Sequence, residues 1–240
     1  MITSPHNEAL KEVRKLAGRR WRDKLGEFVA EGEDLLAAAD AAGWVASARY
    51  AAADSGLPGV PVAPHVLATV SQLGSGTRAL GVYPQRWAAP AGPRCVALWG
   101  VGDPGNVGTV IRSALAFGAS SVALGPGSAD PYGHKAVRAS MGALFSVPVA
   151  RVRSVRELPG RTIALAAREG EPLQAALAAA DAAPPPAVTI LVGAEREGLP
   201  DAVVAACDAV AHIPIAHADS LNAAMAATVA LYELTRITRP

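Results

Sequence analysis

The chain has 240 residues, of which 51% are hydrophobic and 18% are charged, and its formal net charge at pH 7 is +1. This length and hydrophobic content suffice for a substantial core in one large or two small domains, and they exclude a disordered chain. The near-zero net charge provides no global attraction to a polyanion, so any basic surface must be local.

Cysteine, histidine and N-terminal patterns exclude further classes of protein. Cys95 and Cys207 are the two cysteines, far apart in apolar segments, and the five histidines form no His-x-x-x-His pair. We therefore expect neither a disulfide framework nor a metal site. Charged residues near the N-terminus replace the apolar core of a signal peptide, and no apolar run of about 18 residues occurs. A cytoplasmic protein without a membrane segment is expected.

The first third of the chain alternates helical and strand patterns. Helices are predicted at residues 7–17, 31–42 and 64–73, and strands at 45–50 and 79–83. A break rich in proline, glycine and alanine at residues 88–94 follows, and the strand pattern changes after it. We therefore predict a small α/β domain at residues 1–88 and a second domain at residues 95–240.

The second domain contains five short apolar runs separated by helical stretches. The runs lie at residues 95–100, 121–125, 162–166, 188–193 and 209–213. Continuous rather than alternating hydrophobicity is typical of a parallel sheet covered on both faces, so the predicted fold class is α/β. Residues 178–186 are predicted to end a helix and form a stiff connector, and residues 221–237 to form a final helix.

Residues 100–105 match the Gly-x-Gly-x-x-Gly dinucleotide fingerprint after a predicted strand. A nicotinamide site should also have an acidic residue about 20 positions further on, and none ends the next strand. Pro104 lacks the backbone N–H that a pyrophosphate cradle uses. The fingerprint therefore favours a tight strand-to-helix turn, with a nicotinamide-dependent oxidoreductase as a weaker alternative.

Three polar side chains at strand–helix junctions each have a structural explanation. Arg112 lies in an otherwise apolar helical stretch and could form an internal ion pair. Glu195 could complement the N-terminus of the next helix, and Ser220 could be the N-cap of the final helix. Because parallel strands end at one sheet edge, the same three junctions could instead line one ligand pocket.

The combination of these junctions resembles a known family. The segments Asn106-Val-Gly-Thr-Val-Ile-Arg112, Gly193-Ala-Glu195-Arg-Glu-Gly-Leu199, and Ile213-Pro214 with Ser220-Leu-Asn222 resemble the three motifs of the SpoU/TrmH RNA ribose 2′-O-methyltransferases, within the SPOUT superfamily. Residues 135–148 also resemble this family, and the N-terminal segment is similar to the substrate-binding domain fused to many members. The resemblance covers nearly the whole chain.

The resemblance implies a fold, a cofactor and an assembly. The second domain would be a SPOUT domain with a trefoil knot, a rare exception to the rule against knotted chains. S-adenosylmethionine would bind at Gly193, Ile213 and Leu221, with residues 166–168 as a further candidate. The family acts as dimers whose catalytic domains complete each other's sites, so a homodimer is expected.

The resemblance also implies catalytic roles. Arg112 would act on the ribose 2′-hydroxyl, either as a base or by anchoring a phosphate and stabilising the alkoxide. Asn106 and Ser220 would hydrogen-bond the ribose or phosphate, Glu195 would position Arg112 or the cofactor loops, and Asn222 would complete the site.

The expected substrate is RNA. A basic stretch near the N-terminus forms either a solvated helix face or an RNA-binding surface, and the resemblance to a ribosomal-protein-type RNA binder favours the latter. Its predicted RNA-binding residues are Lys11, Arg14, Lys15, Arg19, Arg20 and Arg22. The expected reaction is 2′-O-methylation of 23S ribosomal RNA. A tRNA 2′-O-methyltransferase and a non-catalytic RNA-binding or assembly protein remain alternatives.

Overall fold

The computed structural model describes residues 1–73, 76–178, 187–217 and 219–237. The connector predicted at residues 178–186 lies, from residue 179 onward, outside the described part. None of the described helices is long and apolar enough to cross a membrane.

The first part of the chain forms a four-stranded sheet of order β1-β4-β2-β3, with helices against it. Asn7 begins the first helix because its side chain accepts a hydrogen bond from the Ala9 N–H at 3.0 Å. The elements, in chain order, are α1 (Glu8–Lys15), α2 (Arg19–Leu25), β1 (Glu27–Glu31), α3 (Glu33–Ala41), β2 (Ala48–Ala52), β3 (Val60–Val62), α4 (Pro64–Leu67) and β4 (Ala79–Pro84).

The rest of the chain forms an eight-stranded sheet of order β10-β12-β9-β11-β6-β7-β8-β5, in which every pairing is parallel. All its strands therefore end at one edge. The elements, in chain order, are β5 (Trp87–Ala88), β6 (Arg94–Leu98), α5 (Pro104–Ala116), β7 (Ser121–Leu124), α6 (His134–Ala139), β8 (Val149–Arg151), β9 (Arg161–Ala166), β10 (Glu171–Pro172), α7 (Leu173–Ala178), β11 (Val188–Val192), α8 (Asp201–Val204), β12 (Ala209–His212) and α9 (Ala223–Ile237).

The predicted α/β class with a parallel sheet is confirmed, and β6, β7, β9, β11 and β12 correspond to the five predicted runs. The prediction of a helix from residue 31 was wrong at its start, because Glu31 ends strand β1. Gly32 takes φ 104°, a left-handed conformation that ends the strand before α3 begins. The helix predicted at residues 64–73 stops at Leu67.

An aromatic cluster joins the two sheets. Phe28 of β1 packs against Tyr83, Tyr132 and Phe145, with ring centroids 4.8 Å apart for Phe28 and Tyr132. The indole N–H of Trp44 donates to the Phe145 carbonyl at 2.8 Å. One core cluster thus contains residues from both sides of the predicted boundary. The division at residues 88–94 stays a prediction, and Trp87–Ala88 pairs within the second sheet.

A buried ion pair also joins the two parts. The Arg22 guanidinium of α2 lies 2.8 Å from the Asp130 carboxylate, and both side chains are less than a tenth exposed. Arg22 also donates to the carbonyls of Leu16 and Ala17, each at 2.8 Å. The prediction that Arg22 binds RNA was therefore wrong, because its guanidinium is enclosed and its donors are used internally.

Replacing Arg22 by methionine tests this interaction. Arg22→Met leaves the Asp130 carboxylate buried without its cation, so we expect the free energy of unfolding to fall by about 3–5 kcal/mol. Arg20→Met, on the same helix but exposed, is the matched control and should change it by less than about 0.5 kcal/mol. Urea denaturation measures both values, and equal effects would contradict a structural role for Arg22.

Candidate active site

A cavity of about 640 Å³ lies at the edge of the sheet where β9, β11 and β12 end. Its volume falls within the roughly 300–1,000 Å³ typical of small-ligand sites. The three predicted cofactor-binding residues, Gly193, Ile213 and Leu221, all line it, as do Glu195 and Ser220. The further candidates at residues 166–168 line it too, and Leu165, Val192 and Leu199 add apolar wall. The structure thus brings the second and third motif segments together.

The loop after β11 is a tight turn that only glycine allows. Ala194 and Gly198 exchange two backbone hydrogen bonds, of 3.0 and 3.1 Å, which close the turn. A Cβ atom on Gly193 would lie 2.2 Å from the Gly198 carbonyl carbon and 2.4 Å from the Leu199 nitrogen. Any side chain at Gly193 would therefore collide with the backbone across the turn, which only glycine avoids.

Helix α5 begins at the same edge. The Asp103 carboxylate accepts a hydrogen bond from the Asn106 N–H at 3.0 Å, and Pro104 occupies the first turn. A Cβ on Gly108 would lie 2.3 Å from the Ala136 carbonyl, so α5 and α6 cross in direct backbone contact there. Sequence reasoning missed the role of Asp103, although an aspartate directly before proline is a recognised helix-start signal.

Asn106 connects the three motif segments through its side chain. Its Nδ2 donates to the Glu195 carboxylate, and its Oδ1 accepts from Nδ2 of Asn222 at 3.2 Å. Glu195 was predicted to position Arg112 or the cofactor loops, and its hydrogen bond in this structure is to Asn106. The amide of Asn106 therefore fixes the start of α5 against both other segments.

Arg112 lies away from this cluster. It is exposed on α5 and does not line the cavity. Arg112 follows Asn106 by six residues, which places its side chain about 120° around the α-helix from that of Asn106. Within the described ranges, the Arg112 guanidinium has no carboxylate within ion-pair distance. The described residues thus offer no carboxylate for the internal ion pair that was the alternative, and Arg112 is exposed toward a ligand or a second subunit.

The final helix is capped by Asn222. Its Oδ1 accepts hydrogen bonds from the N–H groups of Ala224 and Met225, at 2.9 and 3.3 Å. The alternative that Ser220 caps this helix was therefore wrong, since Asn222 takes that role. Ser220 is exposed at the cavity wall, where its hydroxyl can face a ligand.

The N-terminal basic residues divide by their partners. Lys11 and Lys15 pair with Glu8 and Glu12 on the surface of α1. Arg14 donates to the Pro5 carbonyl and to Thr69, at 2.7 and 2.8 Å, so its guanidinium also supports the fold. The exposed residues Arg19 and Arg20 lie on α2, and Lys24 lies 5.0 Å from the Trp21 ring centroid.

The site chemistry suits a neutral or cationic organic ligand better than a metal or a pyrophosphate. In the described parts of the chain, no three histidine, cysteine, aspartate or glutamate side chains are grouped as metal ligands. The Asp103 carboxylate occupies the N-terminus of α5, where a dinucleotide pyrophosphate would have to bind. This carboxylate argues against the oxidoreductase alternative.

Comparisons with known proteins agree with this geometry. The sequence model of the SpoU rRNA Methylase family matches residues 93–232. The chain is 28% identical to the Bacillus subtilis protein named 23S rRNA (guanosine(2553)-2′-O)-methyltransferase RlmP, over 97% of this chain and 98% of that protein. The AdoMet-bound rRNA methyltransferase from Sinorhizobium meliloti is 30% identical, with a TM-score of 0.86 over 100% of this chain and 98% of that one.

A third relative has a similar fold along its whole length. The SpoU methyltransferase AviRb from Streptomyces viridochromogenes, in complex with AdoMet, has a TM-score of 0.84 and 27% identity, over 96% of this chain and 98% of that one. The region that the family model matches includes all three motif segments. The chain therefore belongs to the SpoU rRNA methylase family.

Proposed function

We propose that this protein transfers a methyl group from S-adenosylmethionine to a ribose 2′-hydroxyl of 23S ribosomal RNA. The observation that carries this proposal is the convergence of the second and third motif segments on one cavity, with the first segment joined to both through the Asn106 side chain. The relatives named above support the same reaction, the same cofactor and ribosomal RNA as the substrate. The predicted enzyme class and cofactor are thus confirmed at the level of the family.

The cavity fits the proposed cofactor. Its apolar wall and the backbone groups around Gly193, Ile213 and Leu221 suit an adenine ring, which needs a hydrophobic slot with main-chain donors and acceptors. A side chain at Gly193 would push against the backbone of Gly198 and Leu199 and change the shape of this wall. When bound, S-adenosylmethionine supplies an electrophilic methyl group, and the protein's task is to align and activate the nucleophile.

A ribose 2′-hydroxyl is a weak nucleophile at neutral pH, so its proton must leave or be strongly polarised during attack. A guanidinium is a poor base because its ordinary pKa lies above about 12. We therefore assign Arg112 to anchoring a phosphate and stabilising the developing alkoxide, which leaves the proton to solvent or a phosphate oxygen. Asn106 and Ser220 orient the ribose, and Glu195 and Asn222 hold Asn106 in place.

We further propose that the protein is a homodimer in which Arg112 serves the partner's cavity. Arg112 is exposed and lies outside the cavity of its own chain. Large apolar side chains nearby on α5 and α9 are exposed as well: Leu115 at 48%, Met225 at 62% and Tyr232 at 52%. The two helices pack side by side, with the rings of Phe117 and Tyr232 6.0 Å apart. A second copy covering this face would bury that apolar surface.

The proposal also includes a knot, an RNA-binding surface and a cellular location. We place a trefoil knot in the C-terminal part of the chain, which the family resemblance implies. We assign the N-terminal part to RNA binding, through Lys11, Lys15, Arg19 and Arg20 rather than Arg22. We also assign the protein to the cytoplasm, in keeping with a ribosomal RNA substrate.

Labelled methyl transfer tests the proposed reaction. The pure protein is incubated with methyl-labelled S-adenosylmethionine and, separately, with ribosomal and transfer RNA from a strain lacking the gene. After nuclease digestion, we expect one labelled 2′-O-methylated nucleoside, from the 23S fraction. Label found only in the transfer RNA would mean that transfer RNA, not 23S ribosomal RNA, is the substrate. Label on a base instead of a ribose would contradict the proposed chemistry. Cofactor binding without transfer to either pool would favour the non-catalytic alternative.

Mixing two inactive variants tests whether Arg112 acts across the dimer. Gly193→Ala drives its Cβ into the backbone of Gly198 and Leu199 and so distorts the loop that walls the cavity. Arg112→Ala removes the guanidinium, which acts as one transition-state stabiliser, and each homodimer should lose at least about 100-fold in activity. A mixed dimer retains one intact cavity facing one intact Arg112 from the other chain. We expect co-refolded mixtures to recover about a quarter of wild-type activity, because half the dimers are mixed and each has one working site.

The control for this experiment is each variant refolded with itself, and unfolding temperatures are recorded for both. If Arg112 served the cavity of its own chain, both sites of every mixed dimer would be defective. The mixture would then show no recovery, which would contradict the shared site.

A further inference from the structure

A second cavity, of about 330 Å³, borders the same sheet edge as the cofactor cavity. The chain segments that follow β7 and β8 form its walls, and Arg19 of α2 and Trp87 of β5 complete it. Since every strand in this sheet runs parallel, both cavities open at the carboxyl ends of the strands. This second cavity, which we call the arginine cavity, takes no part in the site described above.

Its charge is positive. The Asp130 carboxylate at its base is neutralised by Arg22, at 2.8 Å, in the buried ion pair that joins the two parts of the chain. The Asp23 carboxylate is shared, lying 2.8 Å from Arg151 and 3.6 Å from Arg19. Two carboxylates therefore face more guanidinium groups than they can balance, which favours an anionic ligand.

Arg153 adds a further guanidinium at the wall of the arginine cavity. The nearby Glu157 carboxylate accepts hydrogen bonds from the backbone N–H groups of Arg153 and Ser154, each at 2.9 Å. The Arg153 backbone N–H and, to a smaller extent, the charge of its guanidinium lower the pKa of Glu157. Within the described part of the chain, the Arg153 guanidinium itself has no hydrogen bond and no carboxylate within 4 Å. Its donors are therefore available to a ligand, and a guanidinium binds a phosphate through two parallel hydrogen bonds.

Trp87 gives the arginine cavity an aromatic surface. The Arg151 guanidinium carbon lies 3.9 Å from the Trp87 ring centroid, and the Tyr132 ring packs edge-on at 5.0 Å. The Tyr132 hydroxyl donates to the Arg86 carbonyl at 2.5 Å, and burial raises the pKa of Tyr132 far above its ordinary value, so the donor is retained. Aromatic rings and guanidinium planes are the surfaces on which unpaired RNA bases stack.

Backbone hydrogen bonds connect the arginine cavity to the start of the catalytic helix. Gly100 donates to the Pro126 carbonyl at 3.0 Å, and Ala129 donates to the Val101 carbonyl at 2.9 Å. The Ser128 hydroxyl donates to the Leu98 carbonyl at 2.9 Å. Residues 100 and 101 lead directly into α5, which carries Asn106 and Arg112. A ligand in the arginine cavity would therefore be held at a fixed distance from the reacting groups.

We propose that the arginine cavity binds an unpaired nucleotide of the RNA substrate near the one that is methylated, with its phosphate on Arg19 and Arg153 and its base against Trp87 and Arg151. The inference rests on the proposed function, because it assumes an RNA substrate. It assigns this cavity to substrate selection: an RNA without an unpaired nucleotide at that position binds more weakly.

Arg153→Ala tests the proposal, with Arg156→Ala as the matched control, since Arg156 is exposed three residues away and outside the cavity. The probe is 23S ribosomal RNA from a strain lacking the gene, and binding is measured directly, without turnover. We expect Arg153→Ala to raise the RNA Kd about five- to tenfold and to lower the salt slope by roughly 0.7, the value for one lost single-strand phosphate contact. Arg153→Lys should restore part of the affinity and all of the slope.

Photocrosslinking locates the contact independently of affinity. RNA containing 4-thiouridine should crosslink to peptides covering residues 125–131 or 151–153 in the wild type, and less in Arg153→Ala. Affinity for S-adenosylmethionine should stay the same in Arg153→Ala and in Arg156→Ala. The proposal is overturned if Arg153→Ala and Arg156→Ala bind RNA equally, or if nucleoside monophosphates bind the cavity while RNA affinity is unchanged.

These outcomes separate the two proposals. If the wild type transfers methyl groups but Arg153→Ala and Arg156→Ala bind RNA equally, the proposed function stands and the nucleotide site is contradicted. A selective binding defect in Arg153→Ala, with no methyl transfer by the wild type to any RNA, would support the nucleotide site and contradict the proposed enzymatic function. A wild type that binds no RNA contradicts both.

Discussion

The active site depends on one side-chain amide. Asn106 donates to Glu195, 89 residues later in the chain, and accepts from Asn222, 116 residues later. An amide carries a donor and an acceptor on one planar group, so a single asparagine satisfies a carboxylate on one side and another amide on the other. Aspartate would place two carboxylates together, and leucine would leave the exposed side chains of Glu195 and Asn222 with no link to α5. The residue type at this position thus follows from the need to join three chain segments.

The functional groups are distributed along one edge of the parallel sheet. The cofactor cavity lies where β9, β11 and β12 end, and the arginine cavity lies beyond β7 and β8. Helix α5 starts between them, at the end of β6, and is connected to both by hydrogen bonds. The buried pair of Arg22 and Asp130 fixes α2 against the same edge. In the proposed function, this arrangement would hold the cofactor, the reacting ribose and a neighbouring nucleotide along one edge of the sheet.

Continuous apolar runs predicted the five strands and the α/β class, because strands buried on both faces have no polar alternation. The second and third motifs predicted residues of the cavity wall, since parallel strands end at one edge, but Asn106 and Arg112 of the first motif do not line it. Other features depend on contacts between distant residues. The structural role of Arg22 requires Asp130, which lies 108 residues away, so local sequence indicated a surface charge. Asn222 and Ser220 are both good N-caps, and only the start of α9 distinguishes them. Trp87 and Arg151 form one surface because β5 pairs with β8. Strands this short leave no sequence pattern from which that pairing could be predicted.

A double-mutant cycle between Asn106→Ala and Glu195→Ala, measured as kcat/KM for methyl transfer, tests the central claim most directly. If the two side chains act through one hydrogen bond, the double variant should be little worse than the poorer single variant, with a coupling energy of about 1–2 kcal/mol. Glu197→Ala, in the same turn, is the matched control and should show no coupling to Asn106. If the fold losses in kcat/KM of the two single variants multiply in the double variant, the claim that this amide holds the site together is contradicted.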